Sequence, residues 1–195
     1  MPPPEIFVLG GPNGAGKTTT AKVLLPETLG IEQFVNADLI AQGLSPFAPQ
    51  TSALEAGRLM LARIHELRSR GESFGFETTL ASRSYVRFLQ ESQHAGYVVH
   101  IAYIWLSAVN LAIQRVGIRV QQGGHDVPVS TIERRYWRGL RNFFHLYQPL
   151  ADTWTLCDNS GEGMVTVARG SRRGRIRVLD AGTYETIKLQ TGHRT

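Results

Sequence analysis

The sequence predicts an α/β domain with a parallel five-stranded sheet and helices on both faces. Three observations carry this expectation. Five short apolar runs alternate with helical patterns. The first run leads into a glycine-rich loop that opens a helix. No repeat, low-complexity tract or linker interrupts the 195 residues, so a single domain is expected over 1–195.

The first run is EIFVLGG, Glu5 to Gly11. QFVNAD ends at Asp38, SFGFETT at Thr79, YVVHIAYIWL at Leu106 and TWTLCDNS at Ser160. Continuous apolar runs suit strands buried on both faces. Between the second and third, TSALEAGRLMLARIHELRSRG sets Leu54, Leu61, Ile64 and Leu67 on one helical face and stops at Gly71. SRSYVRFLQESQHAG does the same with Tyr85, Phe88 and Leu89, and stops at Gly96. The crossovers should be right-handed. GLSPFAPQ, Gly43 to Gln50, is a loop. RGLRNFFHLYQPLADTW forms a helix that Pro149 bends or ends, with Phe143, Leu146 and Tyr147 toward the core. Beyond Gly161, MVTVARG and RIRVLD flank an Arg/Gly turn and predict a small hairpin over about 161–180, after which LQTGHRT should fray.

Bulk properties narrow the function classes. With 42% hydrophobic and 19% charged residues the chain is globular, not disordered. Its formal net charge of +5 permits polyanionic partners, but RGSRRGRIR (Arg169 to Arg177) reads first as a solvated turn, and nucleic acid is not the expected partner. Cys157 is the only cysteine, which excludes a disulfide within the chain and suits a reducing cytosol. MPPPEIFVLGG has no basic stretch and no long apolar core, and no run approaches the ~18 apolar residues of a membrane span. A cytoplasmic protein without a membrane partner is expected.

GPNGAGKT, Gly11 to Thr18, matches G-x-x-x-x-G-K-[ST] between a strand and a helix, as a phosphate-binding P-loop requires. Gly11, Pro12, Asn13, Gly14, Ala15 and Gly16 turn backbone N–H groups toward phosphate oxygens. The helix that begins there, with Lys17, Thr18 and Thr19, adds its N-terminal partial charge. Lys17 is expected on the outer phosphates and Thr18 on Mg²⁺, so ATP and Mg²⁺ are the expected cofactors. The motif fixes a nucleoside triphosphate and leaves the reaction open.

Ligands gather at the carboxyl ends of strands in open α/β sheets. Asp38 is a candidate general base for a substrate hydroxyl, or the N-cap of the helix LIAQG, or both. Glu77 either contacts substrate or metal-bound water, or caps an ordinary turn. Thr78 and Thr79 are candidate donors to substrate. Asp158 and Asn159, with Ser160, either bond adenine or its ribose or form an Asx turn. No apolar strand ends in the aspartate that hydrolysing switches and motors use, which favours a small-molecule kinase.

SAVNLAIQRVGIRVQQGG runs from an expected cap at Ser107 to Gly123-Gly124. The next helix begins with the capping box Ser130-x-x-Glu133. Arg115 and Arg119 share one helical face, Arg134 and Arg138 another, and Arg135 points elsewhere. Joined by GGHDVP, in which His125 is read as structural or a substrate contact, these helices form a lid over about 107–142. Its arginines would stabilise a phosphoryl group in flight and its closure would exclude water. Arg115, Arg119 and Arg134 are the catalytic candidates, with Arg135 assigned to substrate.

With these residues in hand, the chain resembles the zeta toxin family of P-loop kinases over roughly Ile6 to Asn159. The likeness is strongest at GPNGAGKT, NAD, FETT and RV…GGHDVP…IERRY. It implies a nucleotide-kinase-like core, Asp38 as base, Lys17 and the lid arginines on phosphates, and Glu77 with Thr79 near the acceptor. Zeta toxins phosphorylate the 3′-hydroxyl of the amino sugar in UDP-N-acetylglucosamine, and a toxin implies an antitoxin partner. This chain lacks the long C-terminal helical region of many of them. The expected activity is transfer of the ATP γ-phosphate to a small hydroxylated acceptor. A nucleotide-dependent nucleic-acid-binding protein and a plain ATPase are the alternatives.

Overall fold

A computed structural model describes residues 2–124, 126–172 and 174–192. Strand β1 (Glu5–Gly10) is followed by α1 (Lys17–Val23), which runs into a π-helical turn, Leu24–Thr28. Next come β2 (Phe34–Val35), α2 (Ala37–Leu44), α3 (Ala53–Ser69), β3 (Phe74–Thr78), α4 (Ser84–His94) and β4 (Val98–Trp105). The helices α5 (Val109–Gln121) and α6 (Val129–Asn142) precede a second π turn, Phe143–Tyr147, and the short α7 (Gln148–Leu150). Strands β5 (Thr153–Asp158), β6 (Val165–Ser171) and β7 (Arg177–Val178) and helix α8 (Ala181–Gln190) complete the chain.

The sheet order is β2-β3-β1-β4-β5-β6-β7. The five expected strands pair in parallel, as helical crossovers require. The C-terminal hairpin adds two antiparallel strands to the same sheet, with a bulge opposite Leu156/Cys157. One face carries the main core, where Ile6, Val8, Phe74, Phe76, Ile101 and Tyr103 meet Phe88, Phe143 and Tyr147. Leu9, Ala21, Leu25 and Ile31 close part of the other face. Burial on both faces holds toward the carboxyl ends of β1 and β4 and over the first three residues of β3. At the amino ends of β4 and β5 burial alternates, with His100 and Thr153 on the less buried face.

Several local expectations shift. The buried stripe of α3 is Ala56, Met60, Ile64 and Leu67, at helical spacing, and Leu54 and Leu61 face outward. Helix α5 begins after Ala108 and has no side-chain cap, so Ser107 is not its cap; the Ser107 N–H donates to Ser160 Oγ. Helix α6 begins after Pro128, whose carbonyl accepts from the Thr131 and Ile132 N–H groups. Ser130 therefore lies inside the first turn and the expected capping box does not form. Leu189 and Gln190 are helical where fraying was expected, since Asp180 caps α8 through the Thr183 N–H. His125 lies outside the described residues.

Candidate active site

Strands β1 and β3 end side by side, with Gly10 opposite Thr78. The phosphate loop therefore leaves β1 beside Glu77. Gly11, Gly14 and Gly16 have φ of 142, 77 and 87°, where side chains are strained. Space is short too: a Cβ on Gly11 would lie 2.3 Å from the Ile104 carbonyl oxygen, and one on Gly16 2.8 Å from Asn159 Nδ2. Asn159 Nδ2 donates to the Ala15 carbonyl at 2.9 Å, so β5 braces the loop from behind. Asp158 accepts from the Ser160 N–H and hydroxyl, the Asx-turn arrangement.

Lys17 is buried, with Nζ donating to the Pro12 carbonyl at 2.8 Å and lying 3.5 Å from Glu77 Oε1. Burial holds its pKa below the ordinary lysine value, although the carboxylates of Glu77 and Asp38 pull the other way. Glu77 Oε2 accepts from Thr18 Oγ1 at 2.7 Å and from Asn36 Nδ2 at 2.6 Å. A carboxylate against the P-loop threonine fits the hard oxygen donors that Mg²⁺ takes beside phosphates, with waters completing its octahedron. Glu77 at the end of β3 thus stands against the Lys17 and Thr18 side chains of the P-loop motif.

Asn36 caps α2. Its Oδ1 accepts from the Asp38 N–H at 2.7 Å and the Leu39 N–H at 3.1 Å. Asp38, released from capping, sits exposed in the first turn. Two hollows meet beside it. One, of about 200 Å³, is lined by Gly14, Gly16, Thr18, Thr19, Arg115 and Arg119. The other, of about 260 Å³, is lined by Met60, Thr78, Thr79, Ser82, Tyr85 and Arg135. Asn13, Lys17, Asp38 and Glu77 belong to both.

The arginines divide accordingly. Arg115 and Arg119 face the phosphate hollow and Arg135 the second hollow. Arg134 is exposed, with Thr131 Oγ1 3.5 Å away. The phase of α6 explains this: Ile132, Tyr136, Gly139 and Leu140 form its buried stripe. Arg135 flanks that stripe, whereas Arg134 and Arg138 lie two residues to either side of Tyr136 and so about 160° around the helix from it. Burial lowers the pKa of Arg135, with Asp38 partly offsetting and Arg134 adding to the effect.

The wall of the second hollow, Thr79 to Ser82, is fastened to α6. Leu80 is buried at φ 55°, an unusual conformation for leucine. Asn142 Nδ2 donates to the carbonyls of Leu80 at 2.8 Å and Ala81 at 3.1 Å, and the Tyr147 hydroxyl to that of Ser82. Gly139 lets α6 approach so closely that a Cβ there would lie 2.3 Å from the Thr79 carbonyl oxygen. Sequence reasoning missed Asn36, Gly139 and Asn142. Asn36 had a usable signal, an Asx residue just ahead of a helical pattern, whereas Asn142 had none.

A family model described as Zeta toxin matches residues 2–162. An uncharacterized protein of Haemophilus influenzae is 27% identical over 126 residues, 65% of this chain and 88% of that protein. The AvrRxo1-ORF1:-ORF2 complex solved with ATP superposes with a TM-score of 0.80 over 98% of this chain, at 20% identity. This chain spans 65% of that chain's length. A structure from the PezAT chromosomal toxin-antitoxin system of Streptococcus pneumoniae gives 0.68 over all of this chain and 81% of that one, at 18% identity. At such identities the structural likeness is one of fold.

Proposed function

Because the chain belongs to the zeta toxin family, we propose that it is a kinase moving the γ-phosphate of ATP to a hydroxyl of a small acceptor. The observation that carries the proposal is the meeting of two hollows at Lys17, Asp38 and Glu77, one lined by the phosphate loop and one by β3 and α6. A hydrolase needs room for water alone. A kinase needs a second cavity, with a base where the two join.

In this mechanism the loop N–H groups and Lys17 hold the triphosphate, and Thr18 and Glu77 would hold Mg²⁺, which supplies charge neutralisation on the phosphates. The acceptor lies along Thr78, Thr79 and Ser82. Asp38 takes the proton of its hydroxyl as that oxygen bonds to the terminal phosphorus. The bond from phosphorus to the β-phosphate oxygen breaks, and ADP departs with the electron pair. Arg115 and Arg119 stabilise charge on the phosphates, and Arg135 does so from the acceptor side. The lid over 107–142 excludes water.

UDP-N-acetylglucosamine is the first acceptor to test and an antitoxin the first protein partner. No helix among the described residues is long and apolar enough to cross a membrane; the cytoplasm, where ATP is plentiful and Cys157 stays reduced, is the proposed setting. The test is transfer from labelled ATP with Mg²⁺ to a panel of nucleotide sugars, nucleosides, simple sugars and short RNA. Asp38→Asn should bind ATP normally and lose transfer by about 10²-fold or more. Unchanged transfer in that variant removes Asp38 as base. Release of inorganic phosphate alone, with every acceptor, favours an ATPase.

A further inference from the structure

The kinase reading leaves the open face of the sheet unused. Residues directly opposite one another on neighbouring strands point to the same side. The register sets Phe7 beside His100, His100 beside Thr153, Thr155 beside Arg169, and Arg169 beside Arg177. Thr153 and Thr155 are two apart on β5, so these are two neighbouring rows that together cross β1, β4, β5, β6 and β7 on the face opposite the main core. The Phe7 and His100 rings stack at 4.4 Å, and His100 Nδ1 lies 2.7 Å from Thr153 Oγ1. Between these rows and Leu24 and Leu29 is a hollow of about 190 Å³. Thr153, Arg169 and Arg177 are exposed.

Charge is concentrated at the far end of these rows. Residues 163–179 contain five arginines and no acid, an excess equal to the formal net charge of the whole chain, +5. Arg169, Arg172, Arg175 and Arg177 are exposed, and none forms an ion pair among the described residues. Arg169 and Arg177 oppose each other directly, a like-charge pairing that destabilises a ladder unless an anion lies between them. These arginines cannot serve ATP. Ser171 pairs with Thr153 at the amino end of β5, whereas the phosphate loop is braced from Asn159, beyond the carboxyl end. Glu5 Oε1 lies 3.6 Å from His100 Nε2 at the opposite margin.

We propose that this open sheet face is a binding surface for single-stranded nucleic acid, separate from the phosphoryl-transfer site. Arginines on β6 and β7 take backbone phosphates, the threonines take sugar or base edges, and an unstacked base enters the hollow against the Phe7–His100 pair. Stacking on rings plus a basic track is the chemistry by which sheet faces hold single strands. A duplex offers only its phosphates to such a surface, and an acidic peptide has no base to fill the hollow.

The test is fluorescence anisotropy with the full chain and labelled oligo(U), oligo(dT) and a duplex, each of about 12 nucleotides, at about 50 and 200 mM salt. Both single strands should bind more tightly than the duplex. Two or three phosphate contacts, at a slope of about −0.7 each, weaken binding roughly tenfold over that salt range. Arg169→Glu with Arg177→Glu should weaken binding at least ~10-fold and flatten the salt dependence. His100→Ala should weaken it without changing the slope, and ATP affinity should be unchanged in both variants. Preference for oligo(U) identifies RNA as the strand, and equal binding identifies single strands of either kind. No binding at low salt, equal affinity for the duplex, indifference to the arginine substitutions, or full competition by polyglutamate overturns the proposal. None of these outcomes bears on the kinase reading.

Discussion

Replacing Asn36 with alanine removes a helix cap and a carboxylate partner together. The side chain is buried, with Oδ1 on two N–H groups of α2 and Nδ2 on Glu77. Loss of an N-cap costs about 1 kcal/mol. Loss of a buried hydrogen bond to a charged group costs about 1.5–3 kcal/mol. Asn36→Ala should therefore destabilise the protein by about 3 kcal/mol, a large share of the ~5–15 kcal/mol that holds a domain folded. For a chain of this length that lowers Tm by on the order of 10 °C. Asn36→Asp separates the two roles. Aspartate caps as well as asparagine, but it sets a second carboxylate where Nδ2 lies 2.6 Å from Glu77 Oε2. One of the two carboxyls must then take a raised pKa. The repulsion is present above that raised pKa and relieved as pH falls through it, so Asn36→Asp should be weak at neutral pH and recover on acidification. Urea denaturation followed by circular dichroism at several pH values reads both effects. Neutral-pH stability of Asn36→Asp equal to wild type would refute the assigned contact with Glu77.

Two further outcomes follow from the geometry. Gly139→Ala forces α6 away from the Thr79 carbonyl. Overpacking of this kind costs about 1–3 kcal/mol, so a thermal melt should fall by about 5 °C, with ATP affinity retained and acceptor-dependent turnover reduced. Retention of both Tm and turnover would show that the helix does not brace the wall. Cys157 is buried, and burial pushes its thiol pKa up, so the native protein should react with a thiol-specific disulfide reagent far more slowly than the denatured chain. Rapid native labelling would mean that the β5–β6 pair opens readily.

The five parallel strands were legible because each is an apolar run ending in glycine or polar residues, and the phosphate loop because its glycines serve a local conformation. Arg135 shows where reading from sequence stops. Its inward direction depends on which face of α6 is buried, and the packing of Ile132, Tyr136, Gly139 and Leu140 on the rest of the fold decides that. Asn36 and Asp38 are both competent caps two residues apart, and the structure gives the cap to Asn36, whose Nδ2 also bonds Glu77 on another strand. Helix α8 was legible in principle from Asp180 and Thr183. Its apolar stripe of Tyr184 and Ile187 is short, and its burial comes from the core it docks on, not from its own pattern.

The phosphate loop is made early in synthesis and completed late. Its glycines rest against Ile104 and Asn159, and β1 is flanked by β3 and β4, each some seventy residues or more away in the chain. A ribosome that has made the first hundred residues has made the whole P-loop motif and its neighbour β3, but neither Ile104 nor Asn159. Such a fragment carries the nucleotide signature without a formed nucleotide site. For an enzyme proposed to draw on the cell's ATP, that order of assembly leaves the loop without its Asn159 brace until the end of β5 has left the ribosome.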